Sequence, residues 1–173
     1  MYIFLPGNNK ENKQWCESLR DSFEGKNEMI YYNHWNGEGN INWDIELEKI
    51  KNLNITEKVN IVGKSAGCIL GIKALNVGYI DVNKFVFIGF PYNWALQRGD
   101  NVDELLNYLK TPSLFIQKAY DPVIGYDELV KIVINKGLDM STLKYQRTSE
   151  VENNHNYDDV SYLKDIITDF INT

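Results

Sequence analysis

The sequence is poor in the residues that bind metals or cross-link a chain, with two histidines and two cysteines among 173 residues. Cys16 and Cys68 both fall in segments predicted as helices, and they have neither the number nor the spacing of a disulfide framework or a metal site. Cys68 is expected to face the core. This cysteine content is typical of a reducing cytoplasm, and we expect no metal or organic cofactor.

Long apolar runs and an excess of basic residues are also missing. No stretch approaches the length of a membrane span, and the apolar residues 1–5 meet Pro6 and Gly7 too soon for a signal peptide. A formal charge of −6 disfavours non-specific binding to nucleic acid or to an anionic membrane. With 43% hydrophobic and 24% charged residues, the composition predicts one soluble globular domain over residues 1–173.

Predicted strands and helices alternate along the whole chain. Apolar runs near residues 2–5, 28–33, 59–62, 85–90 and 114–117, and an alternating segment near 143–146, predict six strands. Helical spacing of apolar residues predicts helices between them, one of which should end at Gly137. This alternation favours a mostly parallel sheet covered by helices on both faces.

The motif Gly-x-Ser-x-Gly occupies residues 63–67, between a predicted buried strand and a predicted helix. In this context the motif predicts a nucleophile elbow, a sharp turn that raises the Ser65 hydroxyl above the sheet edge. The same turn points the backbone N–H of Ala66 toward a substrate oxyanion. The motif also occurs by chance, and a glycine-rich turn suits any α/β protein, so the pattern alone leaves both interpretations open.

Residues 63–65, Gly-Lys-Ser, also match the end of a phosphate-binding loop. That motif requires a glycine where this chain has Lys58, and a loop where a strand is predicted, so we reject it. Lys64 is expected to be exposed. It would favour an acidic substrate, although a solvated lysine without a role is the simpler interpretation.

A serine nucleophile needs a base and a group that orients the base. His155 lies in a polar loop after the last predicted strand, where it is free to move, and its alternative is a surface histidine without a role. His34, expected at the end of the second strand, should be remote from Ser65 and either structural or at the rim of the site.

Asp121 directly follows the fifth predicted strand and is the candidate for the orienting acid. An aspartate before proline is also a common turn element, which is its alternative interpretation. Asp158 and Asp159 are nearer to His155 in sequence, but they are expected in the first turn of the last helix, where negative charge suits the helix dipole.

Four segments carry a resemblance to a known family: residues 2–9, 63–67, 120–122 and 154–157. With the order Ser65, Asp121, His155, they make the chain similar to the α/β-hydrolases. Within that superfamily it resembles the small cap-less serine hydrolases related to retinoblastoma-binding protein nine, and small esterases. The resemblance implies a three-layer α/β sandwich without a lid, in which a six-stranded sheet has the order 2-1-3-4-5-6.

The resemblance also implies further site residues. In the superfamily the turn after the first strand supplies a second oxyanion N–H, and by position this donor is Asn8, with Asn9 as the alternative. The segment 91–99 is too short for a lid, so Tyr92 and Trp94, with Phe90, are candidates for lining an open substrate cleft. Packing of a loop onto the sheet is the alternative for each of these aromatic residues.

The expected function is hydrolysis of a small ester or thioester through an acyl-enzyme. Ser65 would be the nucleophile, His155 the general base and Asp121 the orienting acid, with a small acyl compound as the substrate. Two alternatives remain at this point. The chain could be a binding module on a hydrolase scaffold, because fold alone does not give function, or an amidase or peptidase for small substrates, which would use the same residue types.

Overall fold

The computed structural model describes residues 1–37, 39–136, 138, 143–149 and 151–173. Strands and helices alternate along the chain, as the sequence predicts. The strands are β1 Tyr2–Leu5, β2 Asn27–Met29, β3 Val59–Lys64, β4 Val82–Ile88, β5 Ser113–Lys118 and β6 Leu143–Thr148. The helices are α1 Asn12–Asp21, α2 Trp43–Asn52, α3 Ala66–Asn76, α4 Tyr92–Gln97, α5 Val102–Asn107, α6 Tyr126–Asn135 and α7 Val160–Asn172, and a short 3₁₀ helix covers Asn33–Asn36.

The six described strands form one parallel sheet in the order β2-β1-β3-β4-β5-β6, with helices on both faces. The predicted fold class and strand order are therefore confirmed. In this register Leu5 pairs with Gly63, so the carboxyl ends of β1 and β3 lie side by side. The loop after β1 is thereby placed next to the 63–67 turn, and parallel α/β sheets bind their ligands at this edge.

An aromatic layer on β4 and β5 forms part of the core. Phe85 and Phe87 alternate along β4 and stack with ring centroids 3.9 Å apart, and Phe87 stacks on Phe115 of β5 at 4.6 Å. Helix α3 packs directly on this aromatic layer, because a Cβ built at Gly71 would lie 2.4 Å from the Phe85 ring. Close packing of this kind holds α3 in a fixed position against the sheet.

Two local predictions were wrong. The second strand ends at Met29 rather than near residue 33, and the chain then forms the 3₁₀ helix. Tertiary hydrogen bonds explain the departure, since Tyr32 donates to the carbonyl of Pro6 at 2.6 Å and draws the chain toward the loop after β1. The segment after β4, expected as a loop, contains the helix α4. Gly137, the expected end of α6, lies outside the described residues.

The sequence predicts that no segment is long and apolar enough to span a membrane. In the parts of the chain that the structure describes, none of the helices has the length and apolar character needed to cross a bilayer.

Replacing Gly67 with alanine should destabilise the fold. A Cβ at this position would lie 1.9 Å from the carbonyl oxygen of Leu5, and backbone cannot move aside as a flexible side chain can. We expect Gly67→Ala to lower the free energy of unfolding by about 1–3 kcal/mol, as overpacking typically does. Gly37→Ala is the matched control, because a Cβ there meets no atom of the described residues within 4 Å. Urea unfolding followed by circular dichroism measures both, and equal stabilities of the two variants would contradict the close contact.

Candidate active site

Ser65 lies in a strained turn between β3 and α3, with φ 49° and ψ −119°. Such a conformation costs a non-glycine residue about 1–3 kcal/mol and persists only where its surroundings enforce it. The backbone N–H of Ser65 donates to the carbonyl of Ile88 at 3.0 Å, and its carbonyl accepts from the N–H of Cys68 at 2.8 Å. The glycines at 63 and 67 permit this turn, since a Cβ at Gly63 would lie 2.9 Å from the Gly67 carbonyl.

Asp121 and His155, 34 positions apart in sequence, are joined by a hydrogen bond. The imidazole Nδ1 lies 2.7 Å from Oδ2 and 2.9 Å from Oδ1 of the aspartate. The Asp121 side chain is fully buried and that of His155 is 21% exposed. The structure therefore brings together the two residues assigned from sequence as orienting acid and base.

Further donors fix the Asp121 carboxylate. The N–H of Val123 donates to Oδ1 at 2.9 Å, and the hydroxyl of Tyr157 donates to Oδ2 at 2.8 Å. The Tyr157 oxygen also accepts from the N–H of Lys118 at 3.1 Å. Burial raises the pKa of Tyr157 well above its ordinary value, so the phenol stays protonated and serves as a donor to Asp121. The carboxylate is thus held by one donor from the loop after β5 and two from the 151–159 loop.

Ser65 and His155 open into the same cavity of about 450 Å³. Since Nδ1 faces Asp121, the second ring nitrogen, Nε2, carries the lone pair of the neutral imidazole. Nε2 is buried and hydrogen-bonds to none of the described residues, Ser65 included. The cavity is lined by Asn8, Asn9, Glu11, Asn12, Trp15, Lys64, Ser65, Trp94, Val123, His155, Asn156, Tyr157 and Asp158.

The sequence assigns the backbone N–H groups of Asn8 and Ala66 as oxyanion donors. Asn8 lies in the loop after β1, and Ala66 directly follows Ser65. Ala66 is the first residue of α3, so its N–H has no partner within the helix. The carbonyl of Asn8 is held by Nε2 of His34 at 2.7 Å and by the indole N–H of Trp35 at 2.9 Å. His34, in the 3₁₀ helix, thus supports the loop after β1, which agrees with the structural interpretation of this histidine.

The expectation that Lys64 is exposed was wrong, because its exposed fraction is 6%. Its Nζ donates to Oδ1 of Asn12 at 2.6 Å and lies 5.7 Å from the centre of the Trp15 ring. Burial lowers the pKa of Lys64, while Cys68, Asp121 and Asp158 act in the opposite direction. Helix α1 covers this lysine, and sequence proximity to Ser65 could not reveal that.

The aromatic residues after β4 divide into three environments. Trp94 lines the cavity. Tyr92 is not brought to the cavity, since its hydroxyl donates to Asp103 at 2.8 Å, and we do not retain it in the candidate site. Phe90 is fully buried and packs edge-to-face on Phe87.

Asp158 and Asp159, the alternative acids near His155, lie in different environments. Asp159 is the N-cap of α7 and accepts from the N–H of Tyr162 at 2.9 Å. Asp158 is exposed at the edge of the cavity. In the described ranges no three His, Cys, Asp or Glu side chains are grouped so that they could hold a metal ion.

Several contributors to this geometry were not identified from the sequence. Gly89, after β4, has φ +58°, and a Cβ there would lie 2.9 Å from the imidazole of His155. The indole N–H of Trp15 in α1 donates to the carbonyl of Tyr157 at 2.6 Å and connects the 151–159 loop, which carries His155, to the first helix. For Gly89 the one available signal in the sequence was a glycine at the carboxyl end of the fourth strand. The role of Trp15 depends on tertiary contacts alone.

Removing the hydroxyl of Tyr157 should weaken the protein measurably. Tyr157→Phe leaves Asp121 one donor short in a buried position, which typically costs about 1–3 kcal/mol. Tyr120→Phe is the control, because that side chain is 58% exposed and should change stability by less than about 0.5 kcal/mol. Chemical denaturation of both variants gives the comparison, and an unchanged midpoint for Tyr157→Phe would show that the hydroxyl does not support the aspartate.

No protein-family model and no curated protein sequence matches this chain. Solved structures do resemble it. A YdeN-like hydrolase of Pectobacterium atrosepticum superimposes with a TM-score of 0.73 at 13% identity, over 98% of this chain and 89% of that one. The Pyrococcus furiosus esterase Pf2001 gives 0.71 at 13% identity, over 99% of this chain and 79% of that one.

Acyl-protein thioesterase 2 of Zea mays gives a TM-score of 0.61 at 14% identity, over 98% of this chain and 93% of that one. At these identities the similarity concerns the fold, and the narrower resemblance to the relatives of retinoblastoma-binding protein nine stays a prediction. The sheet order, the helices on both faces and these superpositions agree: the chain has the α/β-hydrolase fold.

Proposed function

We propose that this protein is a serine hydrolase that cleaves a small ester or thioester through an acyl-enzyme. The observation that carries the proposal is the hydrogen bond between His155 and the buried Asp121, which leaves the second imidazole nitrogen without a partner among the described residues. Ser65, on a strained turn, faces the same cavity. Nucleophile, base and orienting acid are the three parts that acyl transfer requires.

In the first half of the reaction the Ser65 Oγ attacks the carbonyl carbon of the substrate, and Nε2 of His155 takes the hydroxyl proton. Asp121 holds Nδ1–H and stabilises the imidazolium that forms. The negative charge moves to the carbonyl oxygen, where the N–H groups of Ala66 and Asn8 stabilise it. The tetrahedral intermediate then collapses, and His155 returns the proton to the leaving alcohol or thiol.

In the second half a water molecule attacks the acyl-enzyme. His155 takes a proton from this water, and the second tetrahedral intermediate expels Ser65 Oγ, which recovers the proton. The carboxylic acid is released and the enzyme returns to its starting state. The sequence of steps needs neither a metal ion nor an organic cofactor.

The size of the cavity and the similar folds support a small acyl substrate. About 450 Å³ lies within the range of small-molecule sites. Two proteins of similar fold are described as an esterase and an acyl-protein thioesterase. Ester and thioester carbonyls are more reactive than amides, so esters are the first substrates to test.

Replacing Ser65 with alanine should abolish turnover of short-chain p-nitrophenyl esters. Removing the nucleophile of such a site typically lowers kcat by about 10⁶. A fluorophosphonate probe should label the wild-type protein and should not label Ser65→Ala. Ser161→Ala, a change at an exposed serine of α7, is the control and should keep both turnover and labelling.

The labelling experiment also addresses the alternative of a non-catalytic binding module. A wild-type protein that neither turns over these esters nor reacts with the probe would contradict the hydrolase proposal. Turnover that survives in Ser65→Ala would show that another group is the nucleophile.

Replacing Asp121 with asparagine should lower kcat for the same esters by about 10³–10⁴, because an amide no longer fixes the tautomer of His155. Asp159→Asn is the control, since asparagine is also a good N-cap for α7 and should leave turnover unchanged. Steady-state kinetics on both variants, with circular dichroism to verify folding, makes the comparison. Equal rates for the two variants would remove Asp121 from the mechanism.

A further inference from the structure

The proposed mechanism leaves one charged group of the cavity unused, the ammonium of Lys64. This lysine directly precedes Ser65 and lines the same cavity, and it is more than nine-tenths buried. Lysine is among the residues least often buried without a partner. Its position at the site therefore needs a physical reason.

The contacts of Lys64 are incomplete for a buried cation. An ammonium has three N–H donors, and the hydrogen bond found for it goes to a neutral amide oxygen, Oδ1 of Asn12. The Trp15 ring lies on another side of it, with the centroid 5.7 Å from Nζ. Among the described residues no carboxylate forms an ion pair with Lys64.

The acidic groups near the cavity do not fill this role. Asp121 is committed to His155, Tyr157 and Val123. Glu11 and Asp158 line the cavity but are exposed to solvent. Of the described residues that line the cavity, Lys64 is the sole lysine or arginine.

We propose that Lys64 is an anion subsite and that the substrate is an ester whose acyl group ends in a carboxylate. This inference rests on the proposed hydrolase function and names its substrate class. A carboxylate would supply the missing acceptor for the buried ammonium, and charge-assisted hydrogen bonds are the stronger kind. Since Lys64 and Ser65 line one cavity of about 450 Å³, the carboxylate and the scissile carbonyl belong to one short acyl chain, as in half-esters of succinate or glutarate.

Two esters of equal acyl length test the proposal. Monoethyl glutarate carries the second carboxylate, and ethyl pentanoate replaces it with a methyl group. We expect the wild-type kcat/KM for the half-ester, measured by ethanol release, to exceed that for the neutral ester by about ten- to a hundredfold, the range that one charge-assisted hydrogen bond provides.

Lys64→Gln removes the charge while keeping an N–H donor for Asn12, and it should bring the ratio of the two kcat/KM values close to one. Lys64→Met, which removes both, should give the same ratio. Lys13→Met, at an exposed lysine of α1 that does not line the cavity, should keep the wild-type ratio. The ratio is decisive because it cancels any general loss of activity in a variant.

The outcomes separate this inference from the proposed function. If the wild type hydrolyses both esters without preference, or if Lys64→Gln slows both equally, the anion subsite is wrong while the hydrolase proposal stands. Binding provides a second readout that needs no turnover. Ser65→Ala should bind monoethyl glutarate at least about tenfold more tightly than ethyl pentanoate by calorimetry, and the added Lys64→Gln change should abolish the difference. Equal binding of the two esters would overturn the subsite even if the protein proves to be no hydrolase.

Discussion

The buried carboxylate of Asp121 is the point at which the fold and the candidate site depend on each other. A carboxylate removed from water is unfavourable unless donors replace the lost hydration. Here the donors are the N–H of Val123, the hydroxyl of Tyr157 and the imidazole of His155. Two of them belong to the 151–159 loop, so the loop is held in place by the same interactions that orient the histidine.

Close backbone approach at the carboxyl edge of the sheet is the second constraint. Gly67 lies against the carbonyl of Leu5, and Gly89 lies against the ring of His155. Any side chain at either position would separate the elements that these contacts join. The parallel arrangement of β1, β3 and β4 brings the three strand ends together, and the glycines let the turns that follow them come within contact distance. Sheet topology and residue size together therefore set the distance between Ser65 and its neighbours.

Local signals in the sequence were sufficient for the alternation of strands and helices and for placing Ser65, Asp121 and His155 after strands, because apolar periodicity and turn residues report on local structure directly. The sheet order followed from the resemblance to the α/β-hydrolases. Local signals failed where a distant segment decides the environment. Lys64 is buried by α1, Tyr92 is drawn away from the cavity by Asp103, and β2 is shortened by contacts with the loop after β1. A side chain's partners across the fold are not encoded in its immediate neighbours, so these features could be identified only in three dimensions.

Three features of the cavity oppose stability rather than support it. Ser65 has a strained backbone. Among the described residues, Nε2 of His155 is buried without a hydrogen-bond partner and the Lys64 ammonium has a single hydrogen bond. Each would be relieved by a simple substitution, such as glycine at 65 or methionine at 64. Natural proteins depart from local rules mainly at functional sites. That all three departures border one cavity, next to a carboxylate whose own hydrogen bonds are satisfied, is physical evidence that this cavity is where the protein acts.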